Sequence, residues 1–338
     1  MSQNILYAAL TGVVLTLGIA AKQASPPTST QTHDAGAMAT STLGADVYED
    51  LVTIDPPNST YTIGQGINDD RKIVGTYFDT FGTSHGFLRN EDGRFVTIDH
   101  PRAQKLKGGG GTGARGINSA GLIVGDYCAA LPCDGTSVYR GYLLKRDKDG
   151  YDKDDFTTIR TPGHINTITQ RINSEGDIVG CYHDTDTMKT MHGIVLDNGK
   201  FTALPVPFSM NNGINDRRAI SGFYFDLNTG AGHGYLIRKG VRTLIDFPGA
   251  ASTLAWDINN HGRVVGFYFA KDGSVHGFLW HKGEFTSVDI PGAVATFVYG
   301  INSVGDIVGE YDDATTAHGF LLHWRDYEDR DSDNDDGN

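Results

Sequence analysis

Cysteine and proline are scarce in this chain of 338 residues, which contains 3 cysteines and 11 prolines. The few prolines and the lack of a Gly-x-y period exclude a collagen-like chain in spite of 44 glycines. Cys128 and Cys133, in the segment CAALPC, have a spacing that predicts one small disulfide, which suits an exported protein. Cys181 lies in an aliphatic strand pattern and is predicted to be a buried free thiol.

Basic residues are also in short supply. The chain has 28 Lys and Arg against 41 Asp and Glu, which gives a formal net charge of -13 at pH 7. Nucleic acid is excluded as a partner because the sequence has no basic footprint that would neutralise phosphates. An acidic surface instead favours cations or neutral ligands.

Familiar catalytic signatures are missing. The sequence has no G-x-S-x-G, H-E-x-x-H or C-x-x-C motif, and its GGGG run lacks the G-K-[ST] ending of a phosphate-binding loop. These absences favour a binding protein over an enzyme. The only cofactor considered is calcium, for the acidic loop DKDGYDKDD, where Asp147, Asp149 and Asp152 are the candidate ligands.

One long uncharged and largely apolar run occurs, from Ile5 to Ala21. Residues 1–21 are therefore predicted to be a signal peptide or a short membrane anchor, the only membrane contact expected. Residues 22–50 are predicted to be a flexible linker rich in Ser, Thr, Ala and Pro, and residues 325–338 a disordered acidic tail. The expected location is secreted, periplasmic or at the cell surface.

Residues 51–324 carry one pattern six times. Each copy contains four short apolar segments, of the types TxID, GIN, IVGxY and HGFL. The asparagines of the second segment are Asn68, Asn118, Asn173, Asn215, Asn259 and Asn302. The tyrosines of the third are Tyr77, Tyr127, Tyr182, Tyr224, Tyr268 and Tyr311. The histidine position of the fourth holds His85, Arg140, His192, His233, His276 and His318.

Four short strands joined by tight turns, at about 45 residues a copy, are typical of propeller blades. The expected fold is therefore all-β, a six-bladed β-propeller of four-stranded antiparallel blades. The order of the segments leaves open whether one blade is built from both termini. Arg71 and Arg218 stand where other copies have a turn glycine, and each should cost roughly 1 kcal/mol if the turn keeps a positive φ.

The pattern GIN-x-x-G-x-IVG-x-Y…HGFL…F-x-x-ID-x-PGA resembles the HAF family of bacterial extracellular repeats, over residues 52–321. The resemblance implies an exported, β-rich repeat protein. It implies no particular activity.

Repeated polar residues have an architectural and a functional interpretation. The histidines are predicted to hydrogen-bond a turn or a neighbouring strand, with metal binding or catalysis as the alternative. Acidic residues that follow the tyrosines would either form Asx turns or line a rim that binds cations or sugar hydroxyls. The ligand-binding candidates are Asp79, Asp184, Asp226, Asp313 and Arg140.

The sequence thus predicts a monomeric, non-enzymatic binding or interaction module, with an extracellular glycan or a surface protein as its partner. The alternative is an extracellular polysaccharide hydrolase or lyase that uses rim carboxylates and a histidine. Its candidate catalytic residues are Asp184, Asp226 and His183.

Overall fold

The structure of the chain is a computed structural model that describes residues 41–42, 48–106, 109–131, 138–145, 151–184 and 190–324. The predicted signal peptide, the predicted acidic tail and most of the predicted linker lie outside these residues. Two strands precede the first four-stranded sheet, β1 (Ser41–Thr42) and β2 (Tyr48–Ile54), and β2 carries most of the first TxID segment. No helix in the described residues is long and apolar enough to cross a membrane.

Four repeats each form a separate four-stranded antiparallel sheet. The first contains β3 (Tyr61–Ile67), β4 (Ile73–Phe78), β5 (Ser84–Arg89) and β6 (Phe95–Ile98). After a small pair, β7 (Lys105–Leu106) and β8 (Gly109–Gly110), the second contains β9 (Thr112–Ile117), β10 (Ile123–Ala130), β11 (Val138–Leu144) and β12 (Phe156–Ile159). A single 3₁₀ turn at Lys153–Asp155 precedes β12.

The next two repeats follow the same plan. The third contains β13 (Asn166–Ile172), β14 (Ile178–His183), β15 (His192–Asp197) and β16 (Lys200–Ala203). The fourth contains β17 (Ser209–Ile214), β18 (Ile220–Phe225), β19 (Gly232–Arg238) and β20 (Val241–Ile245).

The last two repeats do not stay separate. They supply β21 (Ser252–Ile258), β22 (Val264–Phe269), β23 (Val275–His281), β24 (Glu284–Val288), β25 (Ala295–Ile301), β26 (Ile307–Asp312) and β27 (Ala317–Trp324). Together with β1 and β2 these strands belong to one nine-stranded sheet. β23 and β25 are bridged in parallel at Val275 and Ala295, and β1 pairs in parallel with β24.

The all-β class and the four-stranded unit are confirmed, but the predicted six-bladed propeller is wrong. The structure has four separate blades, and the remaining strands share the nine-stranded sheet. Sequence periodicity misses this because a bridge between neighbouring sheets depends on how closely their strand ends approach in space. β2 pairs with β27, so strands from the first and last parts of the repeat region meet in one sheet, which resolves the alternative that the sequence left open.

The first strands of the six repeats contact one another in a closed order around a common axis. The glycine of each IVG segment lets the second strand lie close to the first. At Gly75 an added Cβ would lie 2.1 Å from the carbonyl oxygen of Ile63 and 2.6 Å from the ring of Phe87. The axis itself is filled by a buried cluster that includes Ile63, Met210 and Trp256.

Arg71 and Arg218 adopt the positive φ of a turn glycine, at 57° and 58°. Each side chain reaches the preceding repeat. Arg71 Nε lies 2.8 Å from Asp306 Oδ2, and Arg218 bonds both carboxylate oxygens of Asp177 at 2.7 Å. These charge-assisted bonds to buried carboxylates offset the backbone strain.

Candidate functional site

The six repeat asparagines form a closed ring at one end of the axis. Each Nδ2 donates to the backbone carbonyl of the next asparagine, at 2.9–3.4 Å, and Asn302 returns to Asn68. Each Oδ1 accepts from a backbone N–H of its own turn, as from Lys72 at 2.9 Å. We call this end of the molecule the asparagine face, and the end that carries the β4–β5 type loops the loop face.

A pocket of about 70 Å³ opens at the centre of the asparagine face. All six repeats contribute to its lining through their asparagines and the residues on either side of them. The residues that follow the asparagines around the pocket are Asp69, Ser119, Ser174, Asp216, Asn260 and Ser303. The space is large enough for several water molecules, since one needs about 10–15 Å³.

Backbone N–H groups around the pocket mouth fall into two sets. Where the next repeat presents Asp or Asn, its side chain accepts the N–H: Ser174 donates to Asp216, Asp216 to Asn260, and Ser303 to Asp69. Where the next repeat presents serine, the shorter side chain does not accept it. The N–H groups of Asp69, Ser119 and Asn260 therefore have no partner in the described structure.

Two charged residues line the pocket below the asparagines. Arg171 and Asp257 stand where the other four repeats have the glycine of GIN. That glycine normally lies against the next repeat, since an added Cβ at Gly66 would lie 2.8 Å from the carbonyl oxygen of Arg115. In the third and fifth repeats, charged side chains occupy this part of the axis instead.

Arg171 joins several repeats at once. Its Nη1 donates to the carbonyls of Arg115 and Gln170, and its Nη2 to those of Gln65 and Tyr299. Its Nε lies 3.1 Å from Asp257 Oδ2, an ion pair whose angle does not meet hydrogen-bond geometry. Burial raises the pKa of Asp257, and the Arg171 charge opposes that shift. The two charges thus offset each other beneath the pocket.

On the loop face, four repeats pair their histidine with the aspartate of the TxID segment. The Nδ1 atoms of His85, His233, His276 and His318 lie 2.7–2.9 Å from Asp99, Asp246, Asp289 and Asp55. Each imidazole also stacks on the repeat tyrosine, with ring centroids 5.1–5.3 Å apart. Burial disfavours the charged form of His318, but the bonds to Asp55 and Asp313 outweigh it and raise its pKa.

The predicted rim acids are engaged in their own loops. Asp79 accepts the N–H groups of Phe81 and Thr83, Asp226 that of Asn228, and Asp313 those of Thr315 and Thr316. The backbone donors lower the pKa of Asp313. These contacts are Asx-type turns, the architectural interpretation of these residues.

Asp184 bonds the N–H of Ile165 and lies 3.1 Å from His164 Nδ1. The buried ring of His183 is directed at Asn166, 3.3 Å away, and burial lowers its pKa. Within the described residues no hydrogen bond or ion pair joins Asp226 to either of these. The structure therefore does not bring together the three candidate catalytic residues.

Other candidates fall partly outside the described residues. Asp147 and Asp149 lie there, while Asp152 accepts the N–H of Asp155 in the 3₁₀ turn. No group of three or more potential ligands that could hold a metal occurs in the described part of the chain. Cys128 is disulfide-bonded and Cys133, its expected partner, lies outside the described residues. Cys181 is a buried free thiol, and burial raises its pKa to about 12.

Sequence reasoning missed the pocket and the Arg171–Asp257 pair. The signal was present, because RIN and DIN replace GIN in the third and fifth repeats. The repeat asparagines open the turns after the first strands, and their second role in the ring depends on repeats 42–55 residues apart meeting in space.

No family model matches the chain, and no curated protein matches it. Among solved structures, an acylaminoacyl peptidase of Pyrococcus horikoshii is similar at a TM-score of 0.47 and 13% identity, covering 82% of this chain and 55% of that one. The β-propeller domain of the Trilobed protease from Pyrococcus furiosus is similar at a TM-score of 0.45 and 13% identity, and the match covers 81% of this chain and 98% of that one. The chain spans about half the length of the acylaminoacyl peptidases it matches.

A mutant of the Aleuria aurantia lectin, in complex with Fucalpha1-6GlcNAc, is similar at a TM-score of 0.46 and 10% identity, covering 79% of this chain and 93% of that one. At these scores and identities the likenesses support no assignment of a ligand or a reaction. The structure itself defines the class of protein, a β-propeller built from a repeated four-stranded unit.

Proposed function

We propose that the protein is a non-enzymatic binding module, and that the asparagine-face pocket receives a neutral ligand rich in hydroxyl groups, such as the end of a glycan. The observation that carries this proposal is the set of unpartnered N–H groups of Asp69, Ser119 and Asn260 at the pocket mouth. Hydroxyl oxygens can accept from such donors and donate to nearby side-chain oxygens.

The electrostatics of the pocket support a neutral ligand. The charges of Arg171 and Asp257 offset each other, so the charges left at the mouth are those of Asp69 and Asp216. Both Asp216 oxygens already accept hydrogen bonds, from Ser174 and Asn260. An anion would meet two carboxylates there, whereas a polyol would meet donors and acceptors together.

The cellular setting is part of the same proposal. The GIN…IVGxY…HGFL pattern supports membership of the HAF family, and the N-terminal apolar run supports a secreted, periplasmic or cell-surface location. A glycan outside the cell is then the partner that the pocket chemistry fits.

Leucine at Ser119 should block the pocket mouth and weaken ligand binding by about tenfold or more, a change of about 1.4 kcal/mol. Isothermal titration calorimetry of the purified protein with maltohexaose, cellohexaose, xylohexaose and chitohexaose would measure the effect. The matched control is Ala120→Leu, which adds the same side chain one residue further along the exposed turn, outside the pocket lining. Equal affinities for Ser119→Leu and Ala120→Leu, or no binding of any sugar by the unmodified chain, would refute the assignment.

A further inference from the structure

One repeat breaks the histidine–aspartate pattern of the loop face at both of its positions. In the first repeat Gly86 pairs with Ile98 across β5 and β6, which places His85 opposite Asp99. In the second, Gly141 pairs with Ile159 across β11 and β12, which places Arg140 opposite Arg160. Two like charges directly opposite each other on antiparallel strands destabilise a sheet.

The arginine pair has no counter-ion in the described structure. Arg140 Nη1 donates to the carbonyls of Tyr139 and Ile165, which hold the side chain in place near the loop-face end of β11. Its Nε and Nη2, and the whole guanidinium of the exposed Arg160, have no hydrogen-bond or ion-pair partner among the described residues. Burial and the nearby Arg160 charge both lower the pKa of Arg140.

Among the described residues, the nearby acidic side chains are already bonded elsewhere and do not relieve this repulsion. Asp184, in the adjoining repeat, is bonded to His164 and to the N–H of Ile165. Asp99, whose counterparts pair with histidine in three other repeats, is bonded to His85. The chain has a net charge of -13, so a pair of arginines without a counter-ion in the described structure is a local exception. The fold does not require it, because four other repeats place a histidine and an aspartate at these two positions.

We propose that Arg140 and Arg160 form an oxyanion-binding site on the loop face, which takes the carboxylate or sulfate group of an acidic glycan. Two guanidinium groups offer paired N–H donors that match the oxygens of such a group, and the bound anion would remove the repulsion between the arginines. The site is separate from the asparagine-face pocket and does not depend on the ligand proposed there.

The test replaces the pair with the residues of the other repeats, in the double variant Arg140→His and Arg160→Asp. Binding to polygalacturonate, dextran sulfate and neutral dextran is measured by biolayer interferometry at low and at physiological salt. The unmodified chain should bind one or both anionic polymers, and its affinity should fall as the salt concentration rises. The unmodified chain and the double variant should have the same affinity for neutral dextran. The double variant should lose about tenfold or more in affinity for the anionic polymers.

The control variant, Lys239→Asn with Lys271→Asp, makes the same change in net charge at two exposed lysines outside the site. It should bind within about twofold of the unmodified chain. Equal loss in both variants would show that net charge alone is responsible, and no binding of either anionic polymer would also overturn the proposal. The preferred polymer identifies the group as carboxylate or sulfate. Ser119→Leu should leave this binding unchanged, so failure of one proposed site is distinguishable from failure of the other.

Discussion

Glycine in place of Arg171 should destabilise the folded chain by about 3–5 kcal/mol, because the substitution leaves Asp257 buried without a counter-charge. It also removes donors from four backbone carbonyls that belong to four different repeats. Urea unfolding followed by tryptophan fluorescence, to which Trp256, 3% exposed within the filled axis, contributes, would measure the change.

A double-mutant cycle separates the ion pair from general packing loss. Asp257→Gly alone should also destabilise, whereas the combined variant restores the glycine found in the other four repeats at both positions and removes both buried charges. The combined variant should lose less free energy of unfolding than the sum of the two single variants' losses, by about 1 kcal/mol or more. Strict additivity would contradict a coupled pair. If Arg171→Gly does not fold, recovery of soluble folded protein in the combined variant provides the same comparison.

Much of the fold follows from local sequence. Asn68 and its counterparts open tight turns because a short amide side chain can accept a backbone N–H, and the glycine of IVG permits close strand packing. These signals lie within about ten residues of each other in the chain. The four-stranded unit could therefore be predicted in every repeat.

The predictions failed where residues distant in sequence meet. The single bridge between Val275 and Ala295 that merges two repeats has no signature in either segment. Arg71 and Arg218 were expected to strain their turns, and they do adopt positive φ, but their bonds to Asp306 and Asp177 required knowledge of which repeats are neighbours. Repetition obscures the candidate site as well, because RIN and DIN match the GIN segment at two of its three residues.

The repeats also differ at positions beside the filled axis. At the position before each repeat tyrosine, the third to fifth repeats place Cys181, Phe223 and Phe267, which belong to the apolar cluster. The sixth repeat places Glu310 there, fully buried at 1% exposure. Tyr61 donates to Glu310 Oε1 at 2.5 Å, while Oε2 has no partner that meets hydrogen-bond geometry.

Burial raises the pKa of Glu310 well above its ordinary value of 4.5, and the negative charge of Asp312 adds to the shift. The pKa of Asp312 is raised as well, chiefly by burial, so the two carboxyl groups hold a proton more tightly in the folded chain than in the unfolded one. Tyr61 and Tyr299 face the same carboxyl group, and burial raises the pKa of each, so both stay neutral.

The stability of the folded chain should therefore fall as pH rises above about 4.5, where unfolded Glu310 loses its proton and folded Glu310 keeps it. The loss is about 1.4 kcal/mol per pH unit for one proton and ends once pH passes the raised folded pKa. Glu310→Gln keeps the size of the side chain and removes its titration. The variant should have a flatter profile above about pH 4.5 and should be more stable than the unmodified chain at neutral pH.

Urea unfolding at half-unit pH steps would measure both profiles. The matched control is Glu91→Gln, which makes the same chemical change in the exposed turn between β5 and β6, so that burial is the difference between the two variants. If Glu310→Gln follows the slope of the unmodified chain, the buried carboxyl is not the source of the pH dependence. If Glu91→Gln flattens the profile equally, the effect belongs to the net charge of the chain. If only Glu310→Gln flattens the pH profile, the pH dependence of stability comes from the buried carboxyl group of Glu310, which stands where other repeats place an apolar side chain beside the filled axis.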